Sequence, residues 1–441
     1  MLKLKLTNVR CFADPAPVRI APLTILVGEN STGKSSFLAL QRATLDLIGG
    51  QGDVNFNKDP FFLGAYDQIA HYRGGRGGRA DFFEIGIRNT VKDPGKTKRK
   101  PNNLEANYTA RFVKRGSQPE LSHINFRCGR HAIEIAFNHD QVPSIKINTP
   151  SWSGTIPEQV WRYIPVSPRF LLGEATGYFY LLREIARRER IKNFSLSKED
   201  ALVLSGYWNS ALEPFFISSF SIAPVRTKPE RTYDPIDDTP RSAGSHVPML
   251  LAKTRFTDRE RWEAVKNTID RFGQKSGLFK EISLKTLGHS DSDPFQIMIK
   301  IFGPRSNLID VGYGVSQVLP IVTDIIMEDR ARFYLLQQPE VHLHPRAQAE
   351  LASFFGEIVT NTKSKIMVET HSDYIIDRIR MDVRDKKRLK PEDVSILFFE
   401  RTGRDVEIHS IGLDKQGNLL NVPKSYRSFF LTEEARFFGL S

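Results

Sequence analysis

Apolar and polar positions follow two rhythms along this chain. The opening MLKLKLT alternates at period two and predicts a strand over residues 2–7. A turn at Asp14-Pro15 and a short strand over 18–20 come next. LTILV at 23–27 is unbroken and apolar, as a strand buried on both faces should be. Helical spacing over 35–47 stops at Gly49-Gly50. Period two returns in FFEIGI (82–87), NYTARFV (107–113), HAIEIAF (131–137) and SIKI (144–147), predicting an antiparallel sheet. The connector at 93–103 predicts an exposed loop. From about Pro157 to Phe272 the spacing becomes three and four. Helices are predicted over 178–191 and 259–272, around a proline-rich stretch at 222–240. From Phe295 onward strands and helices interleave: IMIKIF, LPIVTDIIM, FYLL, PRAQAELASFFGEIV, KIMVE, DYIIDRIRMDV, VSILFF and VEIHSI. That order predicts a largely parallel sheet with helices outside.

Composition narrows the class. A chain of 441 residues, 40% hydrophobic and 26% charged, can bury two or three domain cores. Its two cysteines, Cys11 and Cys128, provide no disulfide framework and point to a reducing compartment. MLKLKLTNV does not read as a secretory leader. No apolar run approaches the ~18 residues of a spanning helix, so no membrane contact is expected and a cytoplasmic location is. The net charge of +12 permits nucleic acid as a partner without establishing one.

The chemistry begins behind the 23–27 run. Gly28 to Ser36 reads GENSTGKSS, a G-x-x-x-x-G-K-S string between a predicted strand and a predicted helix. Glycines let backbone N–H groups wrap a triphosphate, and the helix start adds partial positive charge. Lys34 is expected to reach the β- and γ-phosphates of ATP, and the Ser35 hydroxyl to ligate Mg²⁺. Further along, FYLLQQPEVHLHP (333–345) reads as a buried strand with polar groups at its C-terminal end, where parallel sheets bind ligands. Upstream of it DVGYGVSQ (310–317) leads into a helix. Downstream, His371 in KIMVETHSD follows the next strand.

A glycine-rich helix start, a polar strand end and a strand-end histidine, in that order behind a phosphate loop, resemble the ABC-type ATPases of the SMC, RecF and OLD branch. The finer resemblance is to stand-alone OLD-like ATPase subunits of bacterial antiphage systems such as PARIS and Septu. It is carried by PEVHLHP, THSD, LTNVRCF…LTILVGENSTGKSS, PVRTKPERTY and SYRSFFLTEEARFFGL. It is firm over roughly 1–70 and 300–400 and loose elsewhere. The fold it implies is α/β: an ABC-type P-loop core of mixed sheet and flanking helices, plus an antiparallel β-lobe and a mainly helical insertion. The expected divisions are 1–90 for the lobe with the phosphate loop, 91–155 for the antiparallel region, 156–280 for the insertion and 281–441 for the C-terminal lobe.

The resemblance also implies roles. Gly28, Glu29, Asn30, Gly33, Lys34, Ser35 and Ser36 would bind phosphates. Gly312, Gly314 and Ser316 would cap the γ-phosphate held by a second copy, and His371 would sense it. Ser35, Gln337 and, by a weaker match, Gln68 would contact Mg²⁺. Gln337, Gln338, Glu340 and His371 are the catalytic candidates. The implied assembly is at least an ATP-sandwiched homodimer, with larger oligomers open. A separate effector, a nuclease, and a phage-derived trigger complete it. A nuclease domain in the chain itself is not expected, because the stretch after His371 is short and Asp373, Asp377 and Asp382 fall on a predicted helix.

One departure bears on the chemistry. The family pattern ends the FYLL strand with an acid, and here Gln337-Gln338 stands there. An amide accepts a hydrogen bond but takes no proton from water and removes a negative charge near the metal. Two explanations compete: a site that binds ATP and hydrolyses it poorly, or a Glu→Gln change at 337 made to trap the ATP-bound state. Glu340 is the carboxylate that remains in this segment.

Other features have plainer readings. His342 and His344 flank Leu343 without a second cluster to complete a metal site. RGGRGGR (73–79) and KTKRK (96–100) read as solvated loops. Charge in REIARRERIK (183–192) is partly offset by Glu184. That helix, then Arg226, Lys228 and Arg231, are the candidates for a DNA or partner surface. The competing functions are therefore an antiphage ATPase, a RecF-like DNA-repair ATPase, and an ATP-gated assembly protein with little turnover.

Overall fold

The computed structural model describes residues 1–49, 54–92, 103–137, 143–157, 178–191, 194–234, 238–290, 292–385, 389–426 and 428–439. KTKRK and nearly all of the 93–103 connector lie outside them. The chain forms two compact units. The first comprises residues 1–20, 28–218 and 398–410, and the second 21–27, 219–397 and 411–441.

The first unit is built on an eight-stranded sheet. Its order is Val18–Arg19, Lys3–Thr7, Phe82–Lys92, Asn103–Arg115, Gln118–Cys128, His131–Ala136, Ser144–Asn148 and Ser153–Thr155. Every neighbouring pair is antiparallel. Alternation places Leu4, Leu6, Phe83, Ile85, Tyr108, Ala110, Ile124, Phe126, Ile133 and Ile145 on one buried face. Phe83 and Phe112 stack there with ring centroids 5.1 Å apart. The helices Tyr178–Arg188 and Lys198–Leu212 belong to this unit, and Trp208 of the second packs edge-on against Phe126 and Tyr108.

The strand Gln118–Cys128 was not among those expected from the alternation. Its outward positions are His123, Asn125 and Arg127, residues that do not signal a strand by themselves. Cross-strand pairing with both neighbours holds it.

A mixed sheet runs in the order Ser218–Ile222, Arg332–Gln337, Lys365–Glu369, Leu23–Gly28, Val394–Thr402, Asp405–Leu413 and Leu419–Leu420, and the second unit holds all of Arg332–Gln337 and Lys365–Glu369 and nearly all of Leu23–Gly28. Arg332–Gln337, Lys365–Glu369 and Leu23–Gly28 run parallel. Leu335, Leu336, Ile366, Met367, Val368, Leu23, Ile25 and Leu26 are all fully buried, which explains their unbroken apolar sequence. Helices Tyr313–Met327, Pro345–Asn361 and Asp373–Arg384 accompany these strands. A three-stranded sheet, Glu281–Thr286, Phe295–Lys300 and Ser306–Asn307, completes the unit with helices Val247–Thr257 and Arg259–Ser276. The expected α/β architecture is present: a mixed sheet with helices and a separate antiparallel sheet. Among the described residues no helix is long and apolar enough to cross a membrane.

Candidate nucleotide site

The phosphate loop belongs to the first unit. Gly28 has φ 144° and Gly33 has φ 87°, conformations open to glycine and costly for other residues. Space enforces both. A Cβ on Gly28 would stand 2.5 Å from the Phe399 carbonyl oxygen, and one on Gly33 would stand 2.4 Å from Cys11 Sγ. Gly33 is the N-cap of helix Lys34–Ile48. No side chain caps that start and no acid lies in its first turn. Its N–H groups are thus placed to receive an anion.

Lys34 is buried, and its Nζ donates to the carbonyls of Gly28 (2.9 Å) and Glu29 (2.6 Å). The ammonium therefore curls back over the loop, beside where phosphate would lie. Thr32 Oγ1 donates to the Glu29 carbonyl at 2.8 Å and pins the arc. Arg401 donates to the Ser31 carbonyl. Glu29, Asn30 and Ser35 are exposed, and Ser36 is half-buried. Glycine cradle, bare helix start and curled lysine fit a nucleotide phosphate. Gln68 sits on the short helix Tyr66–Ile69, where its Oε1 accepts from the Ala65 N–H at 2.9 Å.

The second group of candidates belongs to the second unit. In the parallel register Gln337 lies opposite Glu369, and Glu369 opposite Leu26. The three strand ends are level, and Gly28 follows Val27 in the chain. Beyond its strand, Gln338 takes a left-handed φ of 41° and its N–H donates to the Glu369 carbonyl at 2.8 Å. Glu340 is buried and accepts from the His371 N–H at 2.8 Å through Oε1, while Oε2 is buried with no hydrogen-bond partner. Burial pushes the Glu340 carboxyl above the usual carboxylate range. Hydrogen bonds from the His371 and Glu340 backbones and from Thr370, with the nearby Arg226 charge, oppose the shift without cancelling it. His371 is exposed.

The glycine-rich start packs on the same loop. A Cβ on Gly314 would stand 2.8 Å from the His342 carbonyl oxygen, so glycine permits this close approach. The Tyr313 and His342 rings meet edge to face at 4.9 Å. Asp310, just upstream, takes a two-bond ion pair from Arg231 at 2.6 and 2.9 Å. Gly312 and Tyr313 are exposed. Ser316 is turned inward, its hydroxyl donating to the Tyr313 carbonyl at 2.8 Å. The helix expected over LPIVTDIIM begins earlier, at Tyr313, and carries Pro320 within it.

Other expectations change. Arg226, read as part of a basic surface, is 2% exposed. Its guanidinium reaches Gln317 and the Gln338 carbonyl, tertiary partners far along the chain. RGGRGGR is a solvated loop, as expected, and is closed at its base: Tyr72 bridges to Arg79, whose guanidinium lies 4.9 Å from the Tyr72 ring centre. Glu184 pairs with Arg183 and Arg187 and so offsets part of that helix's charge. His344 caps helix Pro345–Asn361, its side chain accepting from the Arg346 N–H. Two residues were missed. Glu369 ends a strand as a buried carboxylate, detectable as an acid closing the apolar run KIMV. Gln317 lies behind Ser316, fully buried, with no sequence signal of its own.

Residues 251–376 match the AAA ATPase domain family. The matched stretch holds the glycine-rich helix, the Gln337–Glu340 segment and His371. No curated protein matches the chain. Among solved structures, an SMC head bound to the C-winged helix domain of ScpA is similar at 14% identity, over 94% of this chain and 98% of that one, with a TM-score of 0.43. An SMC head with an extended coiled coil bound to the C-terminal domain of ScpA, derived from Pyrococcus furiosus, gives 14%, 99%, 100% and 0.41. The SMC head from Thermotoga maritima gives 13%, 92%, 97% and 0.39. Superpositions this loose transfer neither function nor partner.

Proposed function

We propose that the chain binds MgATP and that two copies close head to tail around two nucleotides, as sensor and scaffold of an antiphage complex. In this reading the loop from Gly28 to Ser36 holds the phosphates. Ser35 and the amide of Gln337 would hold Mg²⁺, which would offset phosphate charge. Gly312 and Gly314 present helix N–H groups to the nucleotide of the other copy. Glu340 orients His371 through its backbone, and Glu340 with Gln338 positions the attacking water. A separate nuclease is restrained until a phage-derived trigger arrives.

The observation that carries the reading is the phosphate loop's geometry: two space-restricted glycines ahead of an uncapped helix start, with Lys34 folded over the arc. The antiphage assignment is supported by the sequence resemblance. Co-purification from phage-challenged cells tests it. The wild-type chain should retain its nuclease until challenge, and Lys34→Ala should alter that release. Release unchanged by Lys34→Ala contradicts the assignment.

Gln337-Gln338 favours a second reading, an ATP-gated assembly protein that scarcely turns over. With no carboxylate at either position, water activation falls to Glu340 and His371. Phosphate release at an ordinary ATPase rate would exclude it. A RecF-like DNA-binding role predicts ATP-stimulated, salt-sensitive binding to plain duplex, and absence of such binding would end it.

A further inference from the structure

Arg226 lies in the proline-rich stretch, away from any regular element, yet its side chain is 2% exposed. Its Nε donates to Gln317 Oε1 on the glycine-rich helix at 3.4 Å. Its Nη2 donates to the carbonyls of Gln338 and Pro224, each at 3.4 Å. The carboxylate acting on it most strongly is Glu340. These bonds are all long. Three atoms on the joined side chains are buried with no hydrogen-bond partner: Arg226 Nη1, Gln317 Nε2 and Glu340 Oε2.

A buried cation held by long bonds is an expensive way to fill space, and an apolar side chain of similar volume would serve packing better. The cation's partners give it another purpose. Gln317 follows the Gly312–Ser316 segment. Gln338 and Glu340 leave the Gln337 strand, and Glu340 also takes the His371 N–H. A single guanidinium thus touches the helix start assigned to a neighbouring copy's nucleotide and the loop assigned to the chain's own.

We propose that Arg226 is a positioning residue that locks the glycine-rich helix start to the Gln338–Glu340 loop, so that closure of two copies around ATP depends on it. The inference rests on the nucleotide-sandwich reading above. Arg226 touches no phosphate. It sets the angle at which Gly312 and Tyr313 are presented, through Gln317. The loop it grips is the one that orients His371. The unpartnered donors and the orphan Glu340 oxygen leave this junction room to tighten when the loop shifts.

The test separates nucleotide uptake from association. Calorimetry with ADP reads the phosphate loop of single copies. Sedimentation at saturating MgATP reads closure. Arg226→Met and Gln317→Met attack the junction from its two sides, and the second leaves the Arg226 guanidinium and its bond to the Gln338 carbonyl in place should the first fold poorly. Each should weaken ATP-dependent association about tenfold while ADP affinity stays within about threefold of wild type. The double variant should lose no more than the worse single change, since both break one junction. Unchanged association in either folded variant overturns the proposal. So does a parallel loss of ADP affinity, which marks general damage. A wild-type chain that binds ADP but never associates with ATP overturns the sandwich reading itself, and this proposal with it.

Discussion

The backbone N–H of His371 donates to the Glu340 carboxylate at 2.8 Å. This bond joins the exits of two neighbouring parallel strands, Arg332–Gln337 and Lys365–Glu369. It also fixes the backbone of the exposed His371 by means of a buried acid. Since Gln337 and Gln338 are amides, Glu340 is the one acid of the Gln337–Glu340 segment.

Glu340 should leave a mark on stability. Its folded pKa is raised, so the native state takes up this proton more readily than the unfolded chain. The stabilisation is complete below the ordinary carboxylate value of about 4.3 and is lost as pH rises through the raised folded value. Glu340→Gln fixes the neutral form and keeps an acceptor for the His371 N–H. Its melting temperature should exceed wild type by about 2–4 °C at pH 8, with the gap closing towards pH 4. Thermal melts across that range check it. A gap that widens on acidification contradicts the assigned sign.

Gly33 should tolerate no side chain. Gly33→Ala places a Cβ against Cys11 Sγ and forces a left-handed residue, at a cost of about 1–3 kcal/mol from the backbone alone. In a Cys11→Ala background the clash with sulfur is gone, and the penalty should fall to the backbone cost of about 1–3 kcal/mol. Denaturant titration of the four proteins measures both values. Equal penalties in the two backgrounds would show that the sulfur contact is not what excludes alanine.

Restoring a carboxylate at the strand end should raise turnover. Gln337→Glu adds a negative charge where Mg²⁺ is assigned, and kcat for ATP should rise at least about tenfold with a lower Mg²⁺ requirement. Steady-state phosphate release across a magnesium titration is the measurement. No change in kcat or in magnesium dependence would remove Gln337 from the metal site.

The buried pair His246–Asp324 offers a check remote from nucleotide. His246 Nε2 lies 2.7 Å from Asp324 Oδ1, and burial raises the Asp324 carboxyl despite its partner. His246→Ala strands that acid and should cost about 3–5 kcal/mol. Asp324→Asn beside His246→Ala should recover part of the loss, as read by denaturant midpoints.

Much of this was legible in the residues. The phosphate loop was, because strand, glycines, lysine and helix are consecutive and each obeys local rules. Leu335, Ile366 and Leu26 announced buried parallel strands by belonging to unbroken apolar runs. The strand Gln118–Cys128 was hidden because its outward face carries His123, Asn125 and Arg127, and pairing rather than propensity holds it. Arg226 misled for a related reason. Charge predicts exposure on average, but Gln317, Gln338 and Glu340 reach it only through tertiary contact. Ser316 was read as part of an outward cap, whereas its hydroxyl closes on the Tyr313 carbonyl within its own helix start.

Lys34 bears the central claim, since its Nζ lies over the Gly28 and Glu29 carbonyls where phosphate charge would be met. Sedimentation of wild type and Lys34→Ala, with and without MgATP, tests that claim most directly. The account predicts that wild type shifts from monomer to dimer only with MgATP, and that Lys34→Ala stays monomeric while melting within a few degrees of wild type. A wild-type chain that remains monomeric at saturating MgATP, or a Lys34→Ala chain that dimerises as readily, would contradict it.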